Sequence, residues 1–311
     1  MTEEKNKIPQ LIDEVSKVIL GKRDIIQLTL TAILAGGHIL FEDVPGVGKT
    51  LLVKTIASAI QSDYKRVQFT PDLLPSDILG VSMFNQKENK FEFHRGPIFT
   101  TLLLVDEINR TTPKTQAALL EAMAEKSVTI DNQTYSLSDD FTVLATQNPV
   151  EFEGTYLLPE AQLDRFLLRL KIGYPSFEDE LQLILGGNRE EILIEPIMSL
   201  KEITVLKEQV SQIFIHEKVA NYALKLVQAT REHENISLGV SPRGSEAFIR
   251  AAKAYALTEG REYVVPSDLQ LLVPVIFGHR LQLKYHGKSR EAELEKILNQ
   301  IIKHVPVPVG R

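Results

Sequence analysis

Residues 38–57, HILFEDVPGVGKTLLVKTIA, set an apolar run, a loop with two glycines, the pair Lys49-Thr50 and an amphipathic pattern in succession. Leu52, Val53, Ile56, Ala57 and Ile60 fall on one face of that last segment, as a helix requires. Residues of these types in this order bind phosphate. Gly46 and Gly48 let backbone N–H groups approach an anion, and the N-terminus of the following helix adds a positive field. Lys49 would reach the β- and γ-phosphates and Thr50 would ligate magnesium, with Val44, Pro45, Val47 and Leu51 completing the loop around the nucleotide. One residue departs from the pattern G-x-x-x-x-G-K-[ST]: Asp43 stands where a glycine is expected. Its side chain is therefore expected to point away from the phosphates or to cap the turn.

Two further apolar runs end in polar groups of the right kind. TLLLVDEINR, 101–110, closes on Asp106-Glu107. Carboxylates at the carboxyl end of a parallel strand face the crevice where α/β sheets bind ligands. Asp106 suits the magnesium shell, and Glu107 suits a general base for water attacking the γ-phosphate. FTVLATQNP, 141–149, ends at Asn148, whose amide could orient that water or touch the γ-phosphate; a simple Asn-Pro turn is the alternative. Far downstream, GVSPRGS (239–245) reads as a helix start, with Ser241 as cap and Pro242 in the first position. Arg243 then sits in a first turn that disfavours a cation unless an anion meets it; the alternative is an arginine that bends outward into solvent.

These residues need a scaffold. The first half alternates short apolar runs, at 38–41, 65–69, 101–105, 141–145 and 167–172, with helical patterns such as Ala117, Leu120 and Ala124. That alternation predicts an α/β domain over 1–175, a five-stranded parallel sheet with crossover helices. Gly173-Tyr174-Pro175 ends it, 176–198 reads as a linker, and 199–311 as a smaller all-α domain, where Val219, Tyr222, Ala223, Leu226 and Val227 form one apolar stripe. The run REAELEKILNQIIKHV carries Leu294, Ile297, Ile301 and Ile302 at helical spacing for packing within that domain.

Composition narrows the classes. With 311 residues, 43% apolar and 24% charged, the chain can build two domains. A formal charge of −6 argues against a general polyanion binder, and zero cysteines exclude disulfides and thiolate metal sites. The charged start MTEEKNKIPQ lacks a signal-peptide core and no apolar run reaches membrane-spanning length, so a cytoplasmic protein without membrane insertion is expected. His216-Glu217 and His233-Glu234 open like the zinc motif H-E-x-x-H, but their fifth residues are Ala220 and Ser237, so neither holds zinc. His279 and His286 lie near no carboxylate cluster and read as surface or packing residues.

LFEDVPGVGKT, VQFTPDLLPSDILG, GPIF, LLLVDEINRTTPKTQAALLEAMAE, ATQNP and LPEAQLDRFLLRL together resemble the MoxR family of AAA+ ATPases. The blocks cover nearly all of 36–172, and SPRG extends the match into the second domain. The resemblance implies an AAA+ P-loop domain with a helical lid, and ATP bound between neighbouring subunits of a ring, a hexamer. It implies magnesium-dependent hydrolysis driving chaperone-like remodelling or maturation of a client protein, beside a von Willebrand factor A domain partner. It further implies β-hairpins near 81–93 and 128–135. By the same resemblance VILGK, 18–22, with Gly21, lies beside the adenine; the alternative is a helix C-terminus closed by Gly21. Arg165, in LDRF, matches the arginine finger, with Arg169 as the alternative finger and an ion pair to Asp164 or Glu160 as the plainer reading. Arg243 matches the second sensor, acting on its own subunit's nucleotide or a neighbour's. The motor subunit of a metal chelatase shares most of these motifs. A nucleic-acid-translocating AAA+ motor is the rival from another class; there DNQTY offers only Tyr135 and no basic residue, so nucleic acid is not expected as a partner.

Overall fold

In the computed structural model, the structure describes residues 4–44, 46–148, 155–186, 192–284 and 290–308. From the N-terminus come α1 (Ile8–Ser16), α2 (Arg23–Leu34), β1 (His38–Glu42), α3 (Lys49–Ala59), β2 (Tyr64–Gln68), α4 (Pro75–Leu79), β3 (Gly80–Asn85) and β4 (Lys90–Arg95). There follow β5 (Leu102–Asp106), α5 (Pro113–Glu125), β6 (Ser127–Ile130), β7 (Gln133–Ser136), β8 (Thr142–Gln147), α6 (Glu160–Leu163) and β9 (Phe166–Leu170). After α7 (Phe177–Leu185) come α8 (Leu200–Gln212), α9 (Glu217–Glu232), β10 (Ile236–Leu238), α10 (Pro242–Thr258), α11 (Pro266–Phe277), β11 (Gln282–Leu283) and α12 (Arg290–His304).

β2, β5, β8, β1 and β9 form, in that order, one parallel sheet. The continuous apolar runs of β5 and β8 are buried at every position, as strands covered on both faces must be. Ile39 and Phe41 pack on one face with α1, α2, α3 and the second domain, while Leu40 packs on the other with Leu103, Val105 and Leu119 and Leu120 of α5. This is the period-2 alternation of a strand. The register sets Glu42 beside Gln147 and Gln68 beside Asp106, so the carboxyl ends of β1, β8, β5 and β2 lie side by side. β9 stops at Leu170 rather than at 172 because the N–H groups of Ile172 and Gly173 turn to the Asp43 carboxylate.

β3 and β4 pair as one antiparallel hairpin and β6 and β7 as another, the latter turning through Asp131 and Asn132 at φ 49° and 62°. Tyr135 stacks on Phe93 of the first hairpin with ring centroids 4.3 Å apart, while Phe84 and Phe91 are exposed.

The second domain is helical. α10 lies at its centre, burying Ala247, Phe248, Ala251 and Ala254, and Phe248 meets Phe277 of α11 edge to face at 4.8 Å. α12 closes the bundle with Leu294, Ile297, Leu298 and Ile301. A two-stranded ladder, β10 with β11, is added to the helices. His279 is buried within this domain, His216 caps α9, and His233 accepts from the N–H of Asn235.

Candidate active site

Gly46 and Gly48 adopt φ 86° and 89°, a region that strains any residue with a Cβ. Apart from the adjoining residues, no heavy atom of the described residues lies within 4 Å of where either Cβ would stand, so this side of the loop is open space that an anion could approach. Gly48 is the N-cap of α3, which begins at Lys49. The Lys49 ammonium donates to the carbonyls of Asp43 at 2.9 Å and Val44 at 3.2 Å. Burial lowers its pKa, and the carboxylates of Asp43, Asp106 and Glu107 oppose that shift, which places all three within its field. Thr50 follows in the first turn, half-buried. Val47 and Leu51 pack against the core, so their part toward a phosphate is through the backbone. Pro45 lies outside the described residues. Asp43 does point away: its buried carboxylate accepts from the N–H groups of Ile172 and Gly173, fastening the loop's entry to the end of β9.

Asp106, at the end of β5, is 7% exposed. Its Oδ2 accepts from Arg66 Nε at 2.6 Å and its Oδ1 from the Thr146 hydroxyl at 3.3 Å. The same hydroxyl accepts from the N–H of Glu107 at 2.9 Å. Glu107 has φ 57° and ψ 53°, a left-handed conformation that costs a non-glycine residue about 1–3 kcal/mol and clusters at functional sites. Its Oε2 accepts from Gln68 Nε2 at 2.7 Å and from Arg110 at 2.9 Å. Asn148 follows β8, which runs between β1 and β5, so the chain delivers it between the glycine loop and the acids. Its carbonyl accepts from Asn109 Nδ2 at 3.3 Å, and beside it the buried Gln147 Oε1 has no partner among the described residues.

The donor set fits magnesium on a nucleotide. The Thr50 hydroxyl and the Asp106 carboxylate are hard oxygens, and magnesium is held by one or two carboxylates plus phosphates rather than by a protein cage. No group of three or more His, Asp or Glu side chains that could hold a metal ion unaided occurs among the described residues. Arg66, Gln68, Arg110 and Thr146 were not singled out from the sequence. The available signal was the alternation of Arg66 and Gln68 along one side of β2, next to the acid-bearing strand.

Gly21 has φ 65°, and a Cβ there would stand 1.9 Å from Asp179 Oδ2. Gly21 does not close α1, which ends at Ser16 with Lys17, Val18 and Ile19 bonding back to Glu14 and Val15. Lys22 donates to the carbonyl of Tyr174 at 2.7 Å, so this segment rests against the start of α7.

The arginines are elsewhere. Arg165 directly precedes β9, whose Phe166 pairs with His38, the first residue of β1. It therefore lies at the amino edge of the sheet, a five-residue strand or roughly 16 Å from the phosphate loop of its own chain. The carboxylates that could neutralise it are taken: Asp164 by Arg280 at 2.7 Å, Glu160 by Arg290 at 3.4 Å. Arg169 is ion-paired with Glu42 at 3.1 Å. Ser241 caps α10 by accepting from Gly244 N and also donates to Asp164 at 3.3 Å. Arg243 and Arg165 line one cavity of about 270 Å³. The structure thus gathers Lys49, Thr50, Asp106, Glu107 and Asn148 at one edge of the sheet, and Arg165 and Arg243 at the other.

Residues 38–168 match the family described as "ATPase family associated with various cellular activities (AAA)", and residues 228–301 match the AAA lid domain. The Bacillus subtilis (strain 168) protein YeaC is 50% identical over 96% of this chain and 94% of its own length. Chaperone MoxR1 of Mycobacterium tuberculosis is 38% identical over 98% of this chain and 83% of its own. A crystal structure of a Cytophaga hutchinsonii protein superposes with a TM-score of 0.88 at 40% identity, covering 98% of this chain and 96% of that one. Sheet, lid, site motifs and full-length similarity agree: the chain belongs to the MoxR family of AAA+ ATPases.

Proposed function

We propose that this chain hydrolyses ATP with magnesium in a ring, a hexamer, and that turnover remodels or matures a client protein. The observation that carries the reading is the division of the site between two opposite edges of one sheet. A phosphate loop with its acids stands at one edge, and Arg165 and Arg243 stand at the other with no carboxylate engaging them among the described residues. One copy cannot close such a site upon itself, whereas a head-to-tail repeat closes one at every junction. On this reading Arg243 acts, like Arg165, on the nucleotide of the neighbouring subunit.

Lys49 and the loop N–H groups bind the phosphates, and Gly21 lies beside the adenine. Magnesium, when bound, neutralises charge that builds on the phosphates, with Thr50 and Asp106 as its ligands. Glu107 takes the proton of the attacking water after leaving Gln68 and Arg110, and Asn148 orients that water. Arg165 stabilises the charge of the transition state from across the junction. Residues 1–175 form the nucleotide-binding unit, 176–198 the linker and 199–311 the lid. No helix among the described residues is long and apolar enough to cross a membrane. The cytoplasmic location rests on composition, and the von Willebrand factor A domain partner on family resemblance.

Lys49→Ala and Glu107→Gln test the site. Both are expected to lose hydrolysis by about 100-fold or more, with Glu107→Gln still binding ATP. Full ATPase activity in both would remove the assignment.

A further inference from the structure

Arg243 is not alone on its helix face. Arg243, Glu246, Ala247 and Arg250 follow i, i+3, i+4 and i+7 along α10, and all four line the cavity that Arg165 borders. The other cations of this cavity are engaged by hydrogen bonds. Arg280 holds Asp164, and the Lys126 ammonium donates to the carbonyl of Asp139. Arg165, Arg243 and Arg250 are engaged in no hydrogen bond or ion pair through their side chains among the described residues. Glu246 acts on Arg250 through its field alone.

Arg250 is exposed at the cavity rim, yet desolvation by the surrounding protein and the charge of Arg243 both work against its protonated form. Its charge is felt as far as His38, at the amino edge of β1. Three guanidinium groups without a hydrogen-bonded or ion-paired partner among the described residues, with Glu246 acting on Arg250 only through its field, make this recess attractive to an anion. The recess is only about 270 Å³, room for a phosphate chain and not for a nucleic-acid strand.

We propose that Arg250 is a third cation acting across the ring junction, contacting the phosphates of the nucleotide bound by the neighbouring subunit together with Arg165 and Arg243. This rests on the ring reading above. Arg243 and Arg250 stand two turns apart, about 10 Å along the axis, so they meet different phosphates while Arg165 approaches from β9.

Subunit mixing separates this role from a structural one. Arg250→Ala is expected to melt with the wild type and to lose ATPase activity by about 10-fold or more, with Arg250→Lys retaining a larger share. Lys49→Ala is inactive but carries every arginine. In an equal mixture of the Lys49→Ala and Arg250→Ala chains, about a quarter of the junctions pair an intact loop with an intact Arg250, and activity should rise to that level. A mixture no more active than the mean of its two components overturns the proposal, since a residue serving its own chain cannot be complemented. The Arg165→Ala with Lys49→Ala mixture tells the two failures apart. If it recovers while the Arg250→Ala mixture does not, only Arg250 is reassigned; if it too fails, the shared-site reading falls and takes Arg250 with it.

Discussion

Arg66 Nε lies 2.6 Å from Asp106 Oδ2, so the carboxylate proposed to ligate magnesium is ion-paired across the sheet to the neighbouring strand. Asp106 is nearly buried, but the Arg66 side chain is 49% exposed and can swing into solvent. On that proposal the arginine and the metal would compete for one carboxylate. A pair with one exposed partner is worth about 1 kcal/mol or less, which corresponds to up to about fivefold in cation affinity. Arg66→Ala should therefore lower the magnesium concentration that half-saturates ATP binding by about two- to fivefold, read by titrating a fluorescent ATP analogue. An unchanged or higher midpoint would show that the pair does not gate the metal.

Asp43 supports a second expectation. Asp43→Ala would leave the N–H groups of Ile172 and Gly173 without their acceptor, at a cost of about 1–3 kcal/mol. The same change releases the loop entry from β9, so ATP binding should weaken alongside a melting point lower by several degrees. Asp43→Asn keeps one acceptor oxygen and should fall between wild type and alanine. Denaturation and nucleotide titration read the two effects. Normal nucleotide affinity in Asp43→Ala would mean the clamp only stabilises the fold.

The strand, glycine turn and helix around Lys49 were legible because the signal is local: glycines, lysine and threonine stand within a few consecutive residues, flanked by a strand and helix that announce themselves by pattern. The places of Asp106-Glu107 and Asn148 at the ends of β5 and β8 were legible because buried parallel strands read as apolar runs whose ends are marked. What joins elements across the fold was not. Arg66 finds Asp106 from 40 residues away only through the β2–β5 register, and Arg280 finds Asp164 from 116 residues away. Arg165 and Arg169 lie four residues apart on one stretch and read alike in the sequence; that Arg169 is ion-paired with Glu42 at 3.1 Å is visible only in the fold. The helix start at Ser241 was readable, but the second arginine on that face, Arg250, gains meaning only from the recess that α10 and β9 enclose.

His38 gives the fold an acid sensitivity. Its Nδ1 accepts from the N–H of Val143 at 3.0 Å and its Nε2 faces the carbonyl of Met123 at 3.2 Å, so the ring is neutral with its proton on Nε2. Burial, assisted by the charges of Lys126, Arg250 and Lys207, holds its pKa down to about 4. In the unfolded chain the same ring takes up a proton near pH 6.5. Between those values the unfolded state binds more protons, so stability is full above about pH 6.5 and falls as pH drops toward 4. By about pH 5 the loss from this group reaches about 2 kcal/mol. His279, also buried and shifted well down, acts in the same direction. His38→Gln should shrink the difference between urea unfolding free energies at about pH 7.5 and about pH 5 by that amount. An unchanged difference would show that His38 is protonated in the folded protein.

Arg280 holds the two arginine-bearing segments together. Its side chain is 2% exposed and donates to Asp164 Oδ1 at 2.7 Å, to the carbonyl of Phe166 at 2.6 Å and to that of Leu167 at 3.2 Å. Asp164 in turn accepts from Ser241 at the start of α10. One carboxylate therefore fixes both the residue preceding Arg165 and the cap of the helix that carries Arg243. Arg280→Met strands the carboxylate and several buried carbonyls, which should cost about 3–5 kcal/mol. Asp164→Asn keeps an acceptor for Arg280 and should cost about 1–2 kcal/mol. Because the loop at Gly46–Thr50 lies at the opposite edge, the shared-site proposal has Asp164→Asn binding ATP with normal affinity while hydrolysing it more slowly, since on that proposal the arginines it orients serve the next subunit. A matched loss of ATP affinity in Asp164→Asn would place its effect at its own chain's nucleotide and contradict that division of labour.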